Sequence, residues 1–383
     1  MNVVSLCWSL AIAAALLTGG SSSAQPLDVW IGVEPSHEPL RNPPKGIYHA
    51  TLDRQTGKLS PAELVGTIDA PGFLARHPRL PVLYSTGNEA GEAVVAAWQI
   101  DRSTGRVLLE SLGVQPTGSG EACHVSVDQS SKVLLSAQYG GGSVVAYPLD
   151  EAGRIGPSTG IVQHQGGSGV VPDRQADPHP HWIGVSPDNR YALVPDLGQD
   201  RVRIYQLDTA SARLTPFSDA GTARGGGPRH LAWHPNGRFA YVVEELLCGV
   251  STFSWNAATG TLGWIDTQPM LTEAERAAET FTSGSEVAVH PSGRFLYAAV
   301  RGHDTISVFQ INPQTGVLDP VEREPIRGSW PRHFGLSPDG AWLIAAGRDS
   351  DSLAVFAIDA KTGALRYTLN RTAAPRPICV IVR

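Results

Sequence analysis

The sequence predicts an all-β protein, a seven-bladed β-propeller in which the first and last strands of the chain share one blade. Three observations predict this fold: an internal repeat with a period near fifty residues, several short strand patterns in each repeat, and chain ends that each supply part of a unit. The composition agrees, because 41 Gly and 29 Pro among 383 residues are typical of many short elements joined by turns.

Six copies of the repeat align along the chain. The five most similar are CHVSVDQSSKVLLSAQYGGGSVVAYPLD, HWIGVSPDNRYALVPDLGQDRVRIYQLD, RHLAWHPNGRFAYVVEELLCGVSTFSWN, SEVAVHPSGRFLYAAVRGHDTISVFQIN and RHFGLSPDGAWLIAAGRDSDSLAVFAID. A sixth copy begins FLARHPRLPVLYSTGN and continues with VVAAWQID. The equivalent turn positions of the six copies are Pro78, Asp128, Pro187, Pro235, Pro291 and Pro338. They lie about fifty residues apart, which is the spacing of propeller blades.

Each copy predicts four strands in a fixed order. An apolar first strand leads to a turn such as residues 234–237, a second strand such as 239–243, a polar loop, and a third strand such as 250–255. A Thr-Gly turn then leads to the fourth strand. Alternating β-branched and aromatic residues, bounded by Gly, Pro, Asn and Asp, are the pattern that indicates strands joined by hairpins.

The two chain ends together predict the seventh blade. The N-terminal segments VWIGVE (residues 29–34), GIYHATLD and KLSPAELVG resemble the later strands of a unit that lacks its first strand. The C-terminal segment PICVIV (residues 377–382) is one strand without a partner. A blade built from both ends would close the ring and leave no exposed strand edges. We therefore expect one propeller domain over residues 25–383.

Residues 1–24 are predicted to form a secretory signal peptide, cleaved after Ala24. They contain no charged side chain, and a short apolar run over residues 8–17 precedes a Gly- and Ser-rich stretch. The run is shorter than the ~20 apolar residues that span a bilayer, so we expect no membrane span. We expect the protein to be exported, to the periplasm or the medium, and an uncleaved N-terminal anchor is the alternative.

Charge and cysteine content exclude several other classes. The formal net charge of −6 gives no basic surface for nucleic acid. Cys7 lies in the signal peptide, and the remaining Cys123, Cys248 and Cys379 are odd in number and widely spaced. This is neither a disulfide framework nor a zinc motif, so we expect three buried thiols. We expect no cofactor, and we expect a monomer.

Polar residues at two kinds of position should meet at one mouth of the central channel. The first kind lies where first strands begin: Glu121, His124, His179, His181, Arg229, His230, Glu286, Arg332 and His333. The second kind lies in the loops after second strands: Asn88, Glu89, Gln138, Tyr139, Asp196, Glu244, Glu245, Arg301, His303 and Arg348. Two longer insertions, residues 155–180 and 266–284, fall on the same face and are either binding loops or surface decoration. The opposite face carries the short Pro-containing turns.

The sequence resembles the seven-bladed lactonase propellers, which include bacterial propeller-type 6-phosphogluconolactonases and fungal carboxy-cis,cis-muconate lactonising enzymes. The resemblance runs from about residue 29 to the C-terminus. Its most specific segments are GEACHVSVD, QYGGGSV, QADPHPHWIGVSPDNRYALVPDLGQDRV, GGGPRHLAWHPNGRFAYVVEEL, RGHDTISVFQI and PRHFGLSPDG. The resemblance implies four catalytic residues: His181, Arg229, Glu245 and Arg301. The family usually has Asn where this chain has Glu244 and Val300, which affects the expected orientation of the substrate.

The resemblance implies hydrolysis of a lactone, which needs a base for water, a stabiliser for the oxyanion and an acid for the departing alkoxide. We assign the base to Glu245 or His181, with the choice left open. Arg229 is assigned to the oxyanion and Arg301 to an anionic group of the substrate. The remaining polar residues of the mouth are expected to bind substrate: His124, His179, His230, Glu286, Arg332 and His333. A zinc ion on His179 and His181 is the competing hypothesis.

Three functions remain open at this point. The first is a lactonase for a sugar-derived or related anionic lactone. The second is a ring-closing lyase on an unsaturated dicarboxylate, and the third is a propeller that binds a ligand or protein without catalysis. Export is at odds with 6-phosphogluconolactone as substrate, since that lactone is a cytosolic sugar phosphate.

Overall fold

The computed structural model describes residues 25–34 and 45–383, so the predicted signal peptide lies outside the described residues. Within these residues, the strands form seven four-stranded sheets in which every paired neighbour is antiparallel. Six sheets consist of four consecutive strands, and one combines both ends of the chain. The predicted seven-bladed propeller is confirmed.

We number the blades from the N-terminus and the strands in chain order. Blade 1 contains β1 (Leu27–Val33), β2 (Ile47–Leu52), β3 (Glu63–Gly66) and the last strand, β28 (Pro377–Val382). Blade 2 contains β4 (Leu74–Arg76), β5 (Val82–Glu89), β6 (Glu92–Asp101) and β7 (Leu108–Pro116). Blade 3 contains β8 (Ala122–Val127), β9 (Val133–Gln138), β10 (Ser143–Pro148) and β11 (Ile161–Gln163). Blade 4 contains β12 (Gly184–Val185), β13 (Tyr191–Asp196), β14 (Arg201–Asp208) and β15 (Arg213–Gly221).

The remaining three blades follow the same plan. Blade 5 contains β16 (Pro228–Trp233), β17 (Phe239–Glu244), β18 (Gly249–Asn256) and β19 (Thr261–Pro269). Blade 6 contains β20 (Ser283–Val289), β21 (Phe295–Arg301), β22 (Thr305–Ile311) and β23 (Leu318–Pro325). Blade 7 contains β24 (Pro331–Leu336), β25 (Trp342–Gly347), β26 (Ser352–Ile358) and β27 (Leu365–Ala373). The two short helices are α1 (Pro172–Gln175) and α2 (Glu273–Ala278).

Blade 1 closes the ring as predicted. Strand β28 pairs antiparallel with β1, with Val29 opposite Val382 and Ile31 opposite Val380. The pairing continues into the chain end, where Asp28 and Arg383 exchange two backbone hydrogen bonds of 2.6 and 2.8 Å. β28 takes the innermost place, so blade 1 has the same order of strands as the others.

The hydrophobic core is divided among the contacts between adjacent blades. Each of seven clusters of buried side chains draws its members from two neighbouring blades, and together they run around the ring. The second and third strands together supply most of the buried apolar residues, and the second strand Phe295–Arg301 is buried at all seven positions. Each buried Val, Leu, Ile or Phe contributes roughly 1.5–3 kcal/mol. Stability therefore depends on a complete ring, because an end blade would lose one of its two partners.

The turns on the face opposite the predicted mouth are structural. His234 Nδ1 accepts a hydrogen bond from Asn236 N at 3.1 Å, and its Nε2 donates to Gly293 O of the next blade at 2.9 Å. His290 repeats the arrangement, with Nε2 donating to Gly340 O at 2.9 Å. These histidines link one blade to the next, which accounts for their place in the repeat.

The two predicted insertions are shorter than the sequence indicated. Residues 161–163 of the first form β11, the outer strand of blade 3, and residues 266–269 of the second complete β19. The rest of the first insertion carries α1. The helical turn predicted in the second is α2, where Thr272 and Glu275 form a capping box. Within the described residues, the helices are too short or too polar to cross a bilayer.

Candidate active site

Bulges at the start of four innermost strands set the directions of the side chains at the mouth. In β16, Pro228 lies opposite Glu244 but Leu231 lies opposite Val242, so one extra residue is inserted. The same irregularity occurs in β8, β20 and β24. Regular strands direct successive side chains to opposite faces, and a bulge redirects them. Consecutive residues of β16, Arg229 and His230, therefore both face the channel.

One cavity of about 620 Å³ lies at this end of the channel. Its charged and imidazole side chains are contributed by six blades or by the loops that join them. Those lining residues are Glu34, Glu121, Arg174, His181, Arg229, His230, Glu245, Arg301 and Arg332. Phe73, Cys123, Tyr139 and Ile378 are among the other lining residues. Four guanidinium groups thus face three carboxylates among the described lining residues.

Glu245 is the centre of the charged group. Its Oε1 accepts a hydrogen bond from Arg174 Nη2 at 2.7 Å, and its Oε2 lies 3.1 Å from Arg229 Nε and 3.0 Å from Arg301 Nη2. Burial raises the pKa of this carboxyl, but the charges of Arg301 and Arg229 outweigh burial and hold the pKa well below its usual range. A carboxylate held by three cations is a weak base. Glu245 is therefore suited to positioning guanidinium groups.

The backbone around Glu245 is attached to the innermost strand of its own blade. Gly227, which precedes β16, has φ of +66°, a conformation that favours glycine. Its carbonyl accepts a hydrogen bond from Glu245 N at 2.8 Å, and Glu245 O accepts one from Gly284 N at 3.0 Å. These contacts explain why a Gly-rich segment stands directly before the pair Arg229 and His230.

Arg174 reaches Glu245 from the loop that carries α1. That loop is attached to blade 4 by buried polar contacts: His164 Nδ1 lies 2.5 Å from Asp196 Oδ2, and Gln175 Nε2 donates to Leu197 O at 2.8 Å. Asp196 Oδ1 also accepts from His179 N at 2.7 Å. Arg174 Nη2 additionally donates to the Tyr139 hydroxyl at 3.2 Å. The insertion therefore contributes Arg174 to the cavity wall.

His181 presents a free imidazole to the cavity. Neither ring nitrogen makes a hydrogen bond to the described residues, and Nδ1 is buried. Burial and the charge of Arg229 lower the pKa of His181 well below its usual value, so the ring is neutral at neutral pH. The rings of Tyr139 and His230 pack edge to face against it, at centroid distances of 5.1 and 5.3 Å. The lone pair of the unprotonated ring nitrogen is engaged by no described residue and can accept a proton, whereas three guanidinium groups engage the oxygens of Glu245.

A second layer of polar side chains lies behind the cavity wall. Glu286 Oε2 lies 2.9 Å from His230 Nδ1 and 3.1 Å from His333 Nε2. The Phe73 ring separates three histidines, at centroid distances of 4.2 Å to His124, 5.8 Å to His230 and 5.5 Å to His333. His230 is the member of this layer that also lines the cavity.

Six of the ten residues predicted for the site line the cavity: His181, Arg229, His230, Glu245, Arg301 and Arg332. The other four do not. Glu286, His124 and His333 lie in the second layer, where His124 Nδ1 accepts from Ile183 N at 3.3 Å. His179 stacks on Tyr139 at 4.4 Å, and its Nδ1 donates to Tyr139 O at 2.9 Å.

Among the charged and aromatic lining residues, the sequence reasoning missed three: Glu34, Phe73 and Arg174. Phe73 stands just before β4, the position equivalent to the predicted polar residues of the other blades, and its apolar character concealed it. Arg174 lies in the insertion that was singled out. Glu34 follows β1, and its contacts to Arg348 at 3.1 Å and Arg376 at 2.8 Å show its place at the rim.

The two departures from the family's usual pattern lie outside the cavity. Glu244 is buried with Oε1 accepting from the Ser251 hydroxyl at 2.6 Å, and burial raises the pKa of its carboxyl to about 8. It is therefore uncharged at neutral pH. Val300 packs in the core between blades 5 and 6. Neither side chain lines the cavity, so neither is placed to contact the substrate and orient it directly.

The described part of the chain contains no group of side chains that matches the zinc hypothesis. There, no three His, Cys, Asp or Glu side chains are placed to hold one metal ion. Cys123, Cys248 and Cys379 are free thiols, and burial raises the pKa of Cys123 to about 11. An uncharged thiol is a poor nucleophile, so we assign Cys123 no role in the chemistry.

Fold and site together define an enzyme of the propeller class, with imidazole, carboxylate and guanidinium groups at one mouth of the channel. The chain belongs to the seven-bladed β-propeller lactonase family, whose pattern matches residues 29–382. It is similar to the 6-phosphogluconolactonase of Bacillus subtilis strain 168, with 34% identity over 293 residues that cover 76% of this chain and 80% of the relative.

Solved structures agree with this assignment. A periplasmic gluconolactonase of Pseudomonas aeruginosa superposes with a TM-score of 0.83 at 26% identity, covering 94% of this chain and 99% of the other. A protein from Lactobacillus plantarum superposes equally well, with a TM-score of 0.83 at 26% identity over 94% of this chain and all of the other. The resemblance stated from the sequence is confirmed.

Proposed function

We propose that this chain hydrolyses a sugar-derived lactone in the cavity at the mouth of the propeller. One observation carries the proposal: the neutral, unpartnered imidazole of His181 lies in the same cavity as guanidinium groups held by one carboxylate, Glu245. Hydrolysis of a lactone needs this combination of a base and a fixed positive charge. The similarity to a 6-phosphogluconolactonase and to a periplasmic gluconolactonase supports it.

We assign the general base to His181 rather than Glu245. In this role, His181 takes a proton from water as its oxygen attacks the carbonyl carbon. Arg229 is held by Ser285 O and by Glu245, which leaves Nη2 without a hydrogen bond to the described residues. That group is available to the oxyanion that develops in the transition state. Glu245 keeps the guanidinium groups in place, so that little reorganisation accompanies the reaction.

We propose Arg332, rather than Arg301, as the contact for an anionic group of the substrate. Arg301 is nearly buried, donates to Gly284 O at 2.8 Å and faces the Trp330 ring at 5.9 Å. Arg332 lines the cavity and makes no hydrogen bond to the described residues, and its nearest carboxylate oxygen, on Glu34, lies 3.9 Å away. A partly exposed cation with a distant counterion favours a phosphate or carboxylate on the substrate.

Replacing His181 with Ala is expected to lower kcat on the best lactone by ~10², because proton transfer by a positioned base contributes that much or more. The assay compares wild type and variant on a panel of aldonolactones and on a muconate. His303→Ala is the matched control, since His303 contacts Thr305 Oγ1 and does not line the cavity. Wild-type kcat in the His181 variant would contradict the assignment, and turnover of the muconate alone would favour the lyase.

Replacing Arg332 with Gln is expected to raise KM at least ~10-fold for a phosphorylated or carboxylated lactone, with little change for a neutral one. The physical reason is that an anionic group is bound equally in the ground and transition states, so its loss appears in KM. Steady-state kinetics on gluconolactone and 6-phosphogluconolactone measure both values. Equal changes on the two substrates would contradict an anion contact at Arg332.

Export is a separate proposal, supported by the uncharged apolar segment within residues 1–24. An exported lactonase would meet lactones outside the cytoplasm, where sugar phosphates are scarce, so a carboxylated or neutral sugar lactone becomes the substrate to test first. N-terminal sequencing of protein from the periplasm or medium is expected to begin at Gln25. Recovery in the cytoplasm with Met1 retained would contradict export.

A further inference from the structure

We propose that His230 is a second catalytic residue, which delivers a proton to the departing ring oxygen, and that Glu286 behind it supplies that proton. This inference rests on the proposed lactone hydrolysis and adds the acid to the base already assigned. The observation behind it is a chain of contacts from the cavity into the second layer, through His230, Glu286 and His333.

His230 has one ring nitrogen held and one free. Its Nδ1 lies 2.9 Å from Glu286 Oε2, and its Nε2 is buried without a hydrogen-bond partner among the described residues. The residue is 2% exposed and lines the cavity. An orphaned buried nitrogen costs free energy unless a ligand satisfies it. The substrate is the natural partner for Nε2, since His230 lines the cavity and this nitrogen has no partner among the described residues.

The hydrogen bonds around Glu286 determine where its proton lies. Val380 N donates to His333 Nδ1 at 3.3 Å, so the proton of neutral His333 is on Nε2, which donates to Glu286 Oε2 at 3.1 Å. Val287 N donates to Glu286 Oε1 at 3.1 Å. With the carboxyl protonated, Oε2 donates to His230 Nδ1, and the His230 proton is then on Nε2, the nitrogen without a partner among the described residues.

The electrostatic surroundings favour this protonated state. Burial raises the pKa of Glu286 to about 8, against the opposing effect of Arg229. Burial, together with the positive charge of Arg229, lowers the pKa of His230 well below its usual value. The other titratable rings that face His230 are those of His124, His181 and His333. Glu286 is thus uncharged below about pH 8, and the pair holds a proton that it can transfer.

The steps balance as follows. Water adds its oxygen to the carbonyl carbon and gives a proton to His181, which forms the tetrahedral oxyanion. As the oxyanion collapses, the ring carbon–oxygen bond breaks and the departing oxygen takes the Nε2 proton of His230. His230 Nδ1 takes the Glu286 proton in the same step. The hydroxy acid leaves. His181 then returns its proton through water to His230 Nε2, and the proton on His230 Nδ1 goes back to Glu286, which restores the starting state.

The pH dependence of kcat tests the proposal. Wild-type kcat is expected to fall above about pH 8, because Glu286 then loses the proton to be delivered. Glu286→Gln keeps a donor to His230 Nδ1 but cannot transfer a proton. We expect it to lower kcat ~10²-fold at pH 7 and to remove the dependence on pH above 8, with KM nearly unchanged. His230→Gln is expected to lower kcat at least as much.

Glu244→Gln is the matched control, because Glu244 is also a buried carboxyl with a pKa raised to about 8, yet it contacts Ser251 and not His230. We expect it to keep wild-type kcat and the fall above pH 8. Circular dichroism checks that all variants are folded. Wild-type kinetics in Glu286→Gln, or loss of the pH dependence in Glu244→Gln, would overturn the proposal.

An NMR measurement separates this proposal from the function on which it rests. Nitrogen-15 spectra of the imidazoles at pH 7 are expected to show His230 with its proton on Nε2. Carbon-13 spectra should show two glutamate carboxyls titrating near pH 8, one absent in Glu286→Gln and the other absent in Glu244→Gln. If these signals are present but no lactone is hydrolysed, the proposed function fails alone. If lactones are hydrolysed and His230 carries its proton on Nδ1, the proton relay is wrong.

Discussion

Deletion of residues 377–383 is expected to abolish soluble, folded protein. These residues form β28, the innermost strand of blade 1, and five of its six side chains are buried. Deletion removes apolar burial worth roughly 1.5–3 kcal/mol for each Ile or Val. It also leaves β1 with an unpaired edge and opens the clusters on both sides of blade 1. The lost burial is comparable to the whole stability of a typical domain.

Soluble yield and thermal melting measure this effect. Deletion of Arg383 alone is the control, because it removes two backbone hydrogen bonds to Asp28 but leaves β28 in place. We expect the shorter deletion to lower the melting temperature by a few degrees at most. A soluble protein without residues 377–383 that melts like wild type would show that blade 1 does not depend on its innermost strand.

Replacement of Glu245 with Gln is expected to lower the free energy of unfolding by about 3–5 kcal/mol at pH 7, the usual effect of removing one partner from a buried ion pair. The carboxylate of Glu245 lies between Arg174, Arg229 and Arg301, and an amide would leave three cations facing one another. The melting temperature should fall by about 4–7 °C, given the unfolding entropy of a domain of this size. We expect kcat to fall as well, since displaced guanidinium groups no longer meet the oxyanion.

The effect of this replacement has a defined pH dependence. The folded-state pKa of Glu245 lies well below that of an unfolded Glu, about 4.3. The carboxylate therefore stabilises the fold fully above about pH 5, and this contribution is lost as the pH falls toward the folded-state pKa. The difference in melting temperature between wild type and Glu245→Gln should shrink from pH 6 to pH 2.

Glu151→Gln is the matched control for Glu245→Gln, because Glu151 lies exposed in a turn. We expect its melting temperature to match wild type at every pH. A difference for Glu245→Gln that stays constant or grows in acid would contradict the ion-pair account and leave packing as the cause.

The repeat pattern was sufficient to predict the architecture, including the closing blade. Strands in a propeller pair with their neighbours in sequence, so alternation, turn residues and period specify the sheets without long-range information. The N-terminal unit lacked one strand, and the lone segment at residues 377–382 supplied one strand, so together they predicted a complete blade. In every blade the chain enters the first strand and leaves the second strand on the same face of the propeller. The mouth and most of its polar residues could therefore be predicted as well.

The bulges could not be read from the sequence. Strand alternation predicts that only one of Arg229 and His230 faces the channel, whereas the bulge in β16 directs both into the cavity. The equivalent bulge in β20 accompanies the placement of Glu286 behind the wall. No particular residue type marks the extra residue of a bulge. Which of two consecutive residues faces the cavity therefore depends on how the strand pairs with the next strand.

Long-range packing decided the chemical roles. Arg174 meets Glu245 across 71 positions of sequence through a loop attached to blade 4, and that contact, with those of Arg229 and Arg301, changes Glu245 from a candidate base into a support for guanidinium groups. The pKa of a carboxyl depends on the charges and burial around it, and neither is a property of the residue type. Residue identities and their period therefore specified the propeller and its polar mouth, while the distances between side chains from different blades determined which of them can move a proton.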